Sequence, residues 1–173
     1  MNNTYIQQKA HYQSPIGPLT MASDGNALVG LWFDGQLHFP ITQLENCKEN
    51  HNLHIFQETR RWLDMYFSGK TPDFTPEINI YATEFRKRVW EILLTIPYSQ
   101  TTTYGNIADI IAKERGITSM SAQAVGNAVG HNPISIIIPC HRVLGSNKSL
   151  TGYAAGIDKK IFLLHLENFR TIV

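Results

Sequence analysis

The sequence predicts an α+β protein, a small antiparallel sheet followed by a mainly helical region. Residues 10–33 alternate short apolar runs with turn signals, the pattern of strands joined by tight turns. From residue 56 onward apolar side chains recur at three- and four-residue spacing, the pattern of amphipathic helices. Within the second half, two short helical stretches meet through a glycine-containing connection, the outline of a helix-turn-helix.

Taken in order, His11-Tyr12-Gln13 leads into the turn Ser14-Pro15-Ile16-Gly17-Pro18, 19–22 is a second run, Asp24-Gly25 is a hairpin signal and 28–33 is a third strand closed by Asp34-Gly35. Residues 36–52 are polar and read as irregular, with Cys47 among them. Phe56, Trp62, Leu63, Tyr66 and Phe67 predict a helix stopped by Ser68-Gly69 and Pro72. Residues 73–81 read as a connector, dividing the chain into domains at 1–81 and 82–173. Thr83 is a candidate N-cap for a helix carrying Phe85, Val89, Trp90, Leu93 and Leu94, ended by Ile96-Pro97. Ile107, Ala108, Ile110 and Ile111 stripe the next helix, with Gly116 at its C-cap. Ser121 caps another, through Ala122, Val125 and Val129 to Gly130. Ile161, Phe162, Leu164 and Leu166 predict a closing helix with Glu167 near its end.

The helix capped by Ser121 is built from small residues: Ala122, Ala124, Gly126, Ala128 and Gly130. Glycine disfavours helix, so two of them ask for a close approach. Packing on a neighbouring helix is the general expectation. The alternative is a nucleic-acid groove, met through shape rather than sequence readout, with Gln123 and Asn127 facing out.

At 173 residues the chain can bury a core without staples, and its 43% hydrophobic and 17% charged residues argue against disorder. Up to Thr83 there are 5 Lys and Arg against 8 Asp and Glu (net −3), and from Glu84 onward 10 against 6 (net +4). The basic half hints at a polyanionic partner. Two cysteines without a spacing pattern suggest a reducing compartment, and neither a signal peptide nor a membrane span is expected, so a cytoplasmic location follows.

Chemistry concentrates at Pro139-Cys140-His141-Arg142-Val143. The apolar run 136–138 predicts a short strand or packed extended segment, which Pro139 ends. A buried cysteine is ordinarily a small core hydrophobe. The proline and the charged pair do not suit a continuous core strand, and a thiol beside an imidazole can become a nucleophilic thiolate. Residues 151–156 form a glycine-rich loop that could wrap a ligand but lacks the lysine signature of a phosphate loop.

Together with Asn132-Pro133, Gly152-Tyr153, Lys160, Leu163-Leu164 and Glu167, the Pro-Cys-His-Arg-Val core resembles the O6-alkylguanine-DNA alkyltransferases, also called methylated-DNA–protein-cysteine methyltransferases. The resemblance is specific from about Phe85 onward and holds in outline for the first part. It implies a ribonuclease-H-like N-terminal domain and a winged-helix-like helix-turn-helix in the second.

The same resemblance implies direct-reversal repair of duplex DNA, a single-turnover transfer from O6-alkylguanine, and from O4-alkylthymine, to Cys140. His141 is then the base acting through a water, Glu167 orients it, and Asn132 holds the turn presenting Cys140. The backbone at Val143 and the Cys140 carbonyl read the guanine edge. Tyr104 contacts a phosphate and helps protonate the leaving guanine, and Tyr153 and the Ala154 N–H wall the pocket. Ala122, Gln123, Ala124 and Gly126 enter the minor groove and extrude the base. Gln123 stands where many relatives carry an arginine finger, which puts the manner of flipping in question. No cofactor, no metal site and a monomer are expected; His51 and His54, though spaced like ligands, read as solvated loop. The rival readings are a non-catalytic binder of alkylated DNA, against which Cys140 itself speaks, a cysteine hydrolase and a regulator.

Overall fold

The computed structural model describes residues 5–168. They form two compact units, one running to Tyr81 and including Pro133–Ser135, the other comprising Ala82–Asn132 and the chain from Ile136 onward.

In the first unit, β1 (Gln8–Ser14), β2 (Gly17–Ser23) and β3 (Leu28–Phe33) form the antiparallel sheet that the turn signals predict. Asp24 makes the hairpin turn, its Oδ1 accepting from the N–H groups of Asn26 (3.1 Å) and Ala27 (3.0 Å). Every residue of β3 is buried. Its outer edge is covered by two chain segments: Leu28 N–H donates to Glu77 O (2.8 Å), and Leu31 N–H to Pro133 O (2.9 Å) with Ser135 N–H returning to Leu31 O (2.7 Å). This covering removes the unpaired edge that would invite aggregation. Gly30 is required because a Cβ there would stand 1.8 Å from the Trp32 ring, which lies across it.

The stretch expected to be irregular holds a short helix α1 (Ile41–Leu44) and a two-residue strand β4 (Lys48–Glu49), which pairs parallel with β1 and gives the order β3-β2-β1-β4. One core cluster gathers Ile6, Ala22, Val29, Trp32 and Leu44, with the half-buried Cys47 packed against it. Helix α2 (His54–Phe67) buries Ile55, Phe56, Thr59, Trp62, Leu63 and Tyr66, one face at helical spacing.

The second unit is mainly helical. α3 (Glu84–Leu94), α4 (Tyr104–Arg115) and α5 (Ala122–Gly130) start at Thr83, Thr103 and Ser121, whose hydroxyls accept from the backbone N–H of Arg86, Asn106 and Ala124. Gly116 ends α4 in the left-handed conformation, φ 63°. Trp90 Nε1 donates to the Ala128 carbonyl at 2.8 Å, which ties α3 to α5. The apolar stripes run slightly off those expected, since Leu94, Ile110 and Phe162 are exposed. β5 (Thr102–Thr103) and β6 (Val143–Leu144) pair in parallel, setting the cysteine segment beside the start of α4. α6 (Ile157–Leu166) closes the unit and buries Leu163, Leu164 and Lys160.

The expectation for 136–138 fails. The segment is fully buried but turns instead of extending, and Ile136 sits at φ 70°. A short apolar run reports burial, not conformation. A β-branched residue at positive φ is locally disfavoured, so packing imposes the turn. No described helix is long and apolar enough to cross a membrane.

Candidate active site

Cys140 is 6% exposed and opens a single 3-10 turn, Cys140–Arg142, just after Pro139. Proline fixes its own φ and offers no N–H, so the buried run stops and the chain coils tightly. The Cys140 N–H donates to Ile138 O (2.8 Å) and Arg142 N–H to Pro139 O (3.0 Å). Asn132, just beyond α5, braces this turn from within: its Nδ2 donates to Ile138 O (2.8 Å) and to Cys140 Sγ (3.1 Å). One amide thus fixes both the peptide before the cysteine and the sulfur.

Around the sulfur lie groups that proteins seldom bury. His141, Lys160 and Glu167 are wholly buried and Arg142 nearly so. His141 Nε2 donates to Glu167 Oε1 at 2.7 Å. Arg142 grips the same carboxylate as a fork, Nε to Oε2 (2.8 Å) and Nη2 to Oε1 (2.9 Å), while its Nη1 donates to Ile96 O (2.6 Å). Lys160 Nζ donates to the carbonyls of Val143 (2.7 Å), Thr151 (2.9 Å) and Gly152 (3.2 Å), linking the strand after the cysteine to the glycine-rich loop.

Burial pushes the Cys140 thiol up, against the pull of the Asn132 hydrogen bond and the Lys160 charge, so the resting sulfur is protonated. Burial pushes His141 down more than Glu167 lifts it, so the resting imidazole is neutral. Burial alone would raise Glu167, yet the hydrogen bonds and charges of His141 and Arg142 hold it at about 2. Lys160 is pushed down to about 8 by burial. A neutral thiol followed in the chain by a neutral imidazole that is backed by a fixed carboxylate is a set from which a thiolate can form through a proton relay, with the new positive charge already countered.

A cleft of about 690 Å³ is lined by Tyr104, Ala122, Gln123 and Gly126, with Asn127 and Gly152 among its other walls. Ala122, Gln123 and Asn127 are exposed on α5, and Ala124 and Gly126 are half-buried. Tyr104 opens α4 and its hydroxyl donates to Thr151 O (3.3 Å). A Cβ on Gly126 would sit 3.7 Å from the Tyr104 ring, so the small residue brings α5 against α4 as well as facing the cleft. Tyr153 and Ala154 are half-buried in the loop that precedes α6. The Tyr153 hydroxyl is shielded from solvent without a hydrogen-bond partner, and burial raises it well above its usual value. The Cys140 carbonyl accepts from the Val143 N–H, and the Val143 carbonyl accepts from Lys160.

Asn132 and Cys140 thus form one buried hydrogen-bonded pair and His141 and Glu167 another, carried by successive residues of one turn, while the cleft gathers Tyr104, Ala122, Gln123 and Gly126. Sequence reasoning gave no role to Arg142 or Lys160. The signal for Lys160 was a lysine on the apolar face of the closing helix; nothing local foretells that Arg142 shares Glu167. Ser99, which the sequence does not single out, also reaches Glu167 through its backbone N–H (3.2 Å). His51 receives the Arg60 guanidinium at 3.2 Å, and among the described residues no group of three or more His, Cys, Asp or Glu is placed to hold a metal ion.

Comparison with known proteins bears directly on this site. Residues 8–80 match the family description "6-O-methylguanine DNA methyltransferase, ribonuclease-like domain", and residues 84–169 match "6-O-methylguanine DNA methyltransferase, DNA binding domain". The chain is 43% identical to the methylated-DNA–protein-cysteine methyltransferase of Mycobacterium tuberculosis, across 92% of this chain and 93% of that protein. It is 44% identical to the protein of the same name from Methanosarcina barkeri, across 90% and 93%. The crystal structure of Mycobacterium tuberculosis OGT in complex with DNA superposes with a TM-score of 0.79 at 40% identity, covering 92% of each chain. By matches that run through both of its units, the chain belongs to the 6-O-methylguanine DNA methyltransferase family.

Proposed function

We propose that the protein binds duplex DNA and repairs it by direct reversal, moving the alkyl group of O6-alkylguanine, and of O4-alkylthymine, onto Cys140. The observation that carries this reading is the juxtaposition, on successive residues of one turn, of the buried pairs Asn132–Cys140 and His141–Glu167 in a chain of this family. The named activity of the relatives at 43–44% identity supports it, as does the DNA complex of the Mycobacterium tuberculosis structure.

In this mechanism the thiol proton passes through a water to His141, and Glu167 and Arg142 counter the imidazolium that forms. The thiolate sulfur attacks the alkyl carbon in line. The S–C bond forms as the C–O6 bond breaks, and its electron pair returns to the purine. The Tyr104 hydroxyl gives the departing guanine its proton at N3. The Tyr153 hydroxyl and the Ala154 N–H face O6, a use that fits a tyrosine hydroxyl with no partner inside the protein. The Cys140 carbonyl and the backbone at Val143 read the guanine edge. A thioether is a poor leaving group, so the protein is spent after one transfer. No cofactor enters the step.

A stacked base hides the alkyl carbon from a buried sulfur, so the nucleotide must leave the duplex. The exposed small face of α5, with Ala122, Gln123 and Asn127 on the cleft, fits a minor groove. Ala124 and Gly126 let the helix lie close, and Gln123 fills the gap the base leaves. The protein acts as a monomer.

The test is incubation with an O6-methylguanine duplex followed by intact and peptide mass measurement. One methyl on Cys140, no second turnover, and no transfer by Cys140→Ala are expected. Restored guanine with an unmodified Cys140 overturns the reading. A duplex that is bound but keeps its methyl makes the protein a lesion binder instead.

A further inference from the structure

Within the second unit, one short stretch of chain touches both Glu167 and the Arg142 that grips it. The Gln100 N–H donates to Pro97 O (3.1 Å), closing a tight turn whose third residue is Ser99 at φ 63°. Turns of this kind normally place glycine there, because a side chain is strained at positive φ. The strain coincides with a contact. The Ser99 N–H points at Glu167 Oε2 (3.2 Å), and the Ser99 hydroxyl donates to the Glu167 backbone carbonyl. Tyr98 adds a hydroxyl bond to Leu166 O (3.3 Å) and lays its ring 5.7 Å from the Arg142 guanidinium carbon. One residue earlier, Ile96 O receives Arg142 Nη1.

The geometry points to Ser99 as a positioning residue: the 96–99 turn aims Glu167 at His141, with the Ser99 backbone N–H acting as a donor to the carboxylate. This rests on the alkyl-transfer reading for its consequence, though not for its geometry. Oε1 is held by His141 and Arg142, and Oε2 by Arg142 and Ser99. The fork of Arg142 fixes the plane of the carboxylate. The turn keeps that carboxylate from sliding along the fork and away from Nε2. The left-handed conformation aims the N–H, and the serine hydroxyl offsets the strain by tying the turn to the end of α6. The base is therefore oriented by three segments: the cysteine turn, the end of α6 and the 96–99 turn.

A backbone role gives an order of variants that a side-chain role does not. Ser99→Gly loses the hydroxyl but relaxes into positive φ and keeps the N–H in place. Ser99→Ala loses the hydroxyl and keeps the strain. Single-turnover transfer on an O6-methylguanine duplex is expected within about twofold of wild type for Ser99→Gly, and about threefold to tenfold slower for Ser99→Ala. The charged groups facing His141 are Glu167 at the end of α6, Lys160 within it and Arg142 beside it, and both variants keep them all. Glu167 supports the protonated imidazole, so a carboxylate that drifts makes His141 a weaker base. The ring ¹⁵N shifts of His141, followed by NMR without DNA, should titrate at lower pH in Ser99→Ala and as in wild type in Ser99→Gly. The proposal is overturned if Ser99→Gly is as slow as Ser99→Ala, if neither is slowed, or if His141 titrates alike in all three. Should wild type leave Cys140 unmethylated, the alkyl-transfer reading fails, while the His141 titration still decides the role of the turn.

Discussion

The two units bury different kinds of polar group. Among the described residues, the first buries Ser14, Thr20, Ser23, Gln36, Thr59 and Ser135, all hydroxyls or an amide. The second buries Asn132, His141, Arg142, Lys160 and Glu167. The first set is ordinary: Thr59 donates to Ile55 O (2.8 Å), and Gln36 Oε1 accepts from Phe33 N–H (3.0 Å) and the Ser135 hydroxyl (3.1 Å). Such bonds hold turns and edges at modest net value. Buried ions cost several kcal/mol each to desolvate, and replacing them with apolar residues often stabilises a protein. Charges crowded around one sulfur therefore point to chemistry rather than to folding.

The largest effect should come from Glu167→Gln. It leaves the Arg142 fork and the His141 ring facing a neutral amide inside the protein, so we expect a loss of about 3–5 kcal/mol in urea unfolding. Transfer to Cys140 should fall about a hundredfold in single-turnover assays, since the base loses its counter-charge. The same carboxylate sets an acid limb. Its folded value of about 2 lies below the ordinary 4.5, so the stabilisation is full above about pH 4.5 and is lost as pH falls towards 2. Glu167→Gln should flatten that limb; an unchanged limb would place the acid sensitivity elsewhere.

Next comes Lys160→Met, which keeps the length of the side chain and removes the donor from three carbonyls. A loss of about 2–3 kcal/mol is expected, with slower transfer because β6 and the 151–152 loop are no longer pinned together. The uncharged set should respond less. Gln36→Leu removes the acceptor of the Phe33 N–H and of the Ser135 hydroxyl, and about 1–2 kcal/mol is expected in urea unfolding. If Gln36→Leu costs as much as Glu167→Gln, the contrast between the units fails.

How far the sequence foretold this differs between the same regions. Turn chemistry is local, so Asp24-Gly25, Thr83, Ser121 and Gly116 mark their elements directly. The cysteine turn stood out because proline, thiol and charges sit side by side. Glu167 lies 26 residues beyond His141 and was reached only through family resemblance. The bend at 136–138 is not legible, because a short apolar run reports burial and not conformation, and only packing holds Ile136 at φ 70°. Ser99 carried no local sign, since a serine in a turn does not announce positive φ. The covering of the β3 edge by Pro133–Ser135 depends on pairing across about a hundred residues, beyond the reach of any window.

The smallest effect should belong to a charged contact of the second unit that lies outside the buried group. Arg88 reaches from α3 to Glu114 on α4 with Nε (2.9 Å) and Nη2 (2.6 Å), and its Nη1 meets Glu91 (2.8 Å). By geometry this fork rivals the one on Glu167. It differs in burial, since the Arg88 side chain is 41% exposed while that of Glu167 is not exposed at all. Water and salt screen the exposed pair, and its long side chains give up freedom to meet. Arg88→Ala should therefore move the urea midpoint less than any variant above, by an amount that shrinks further in high salt, and should leave the transfer rate unchanged. A loss comparable to that of Glu167→Gln would show that the fork itself, rather than its removal from water, makes the interaction strong.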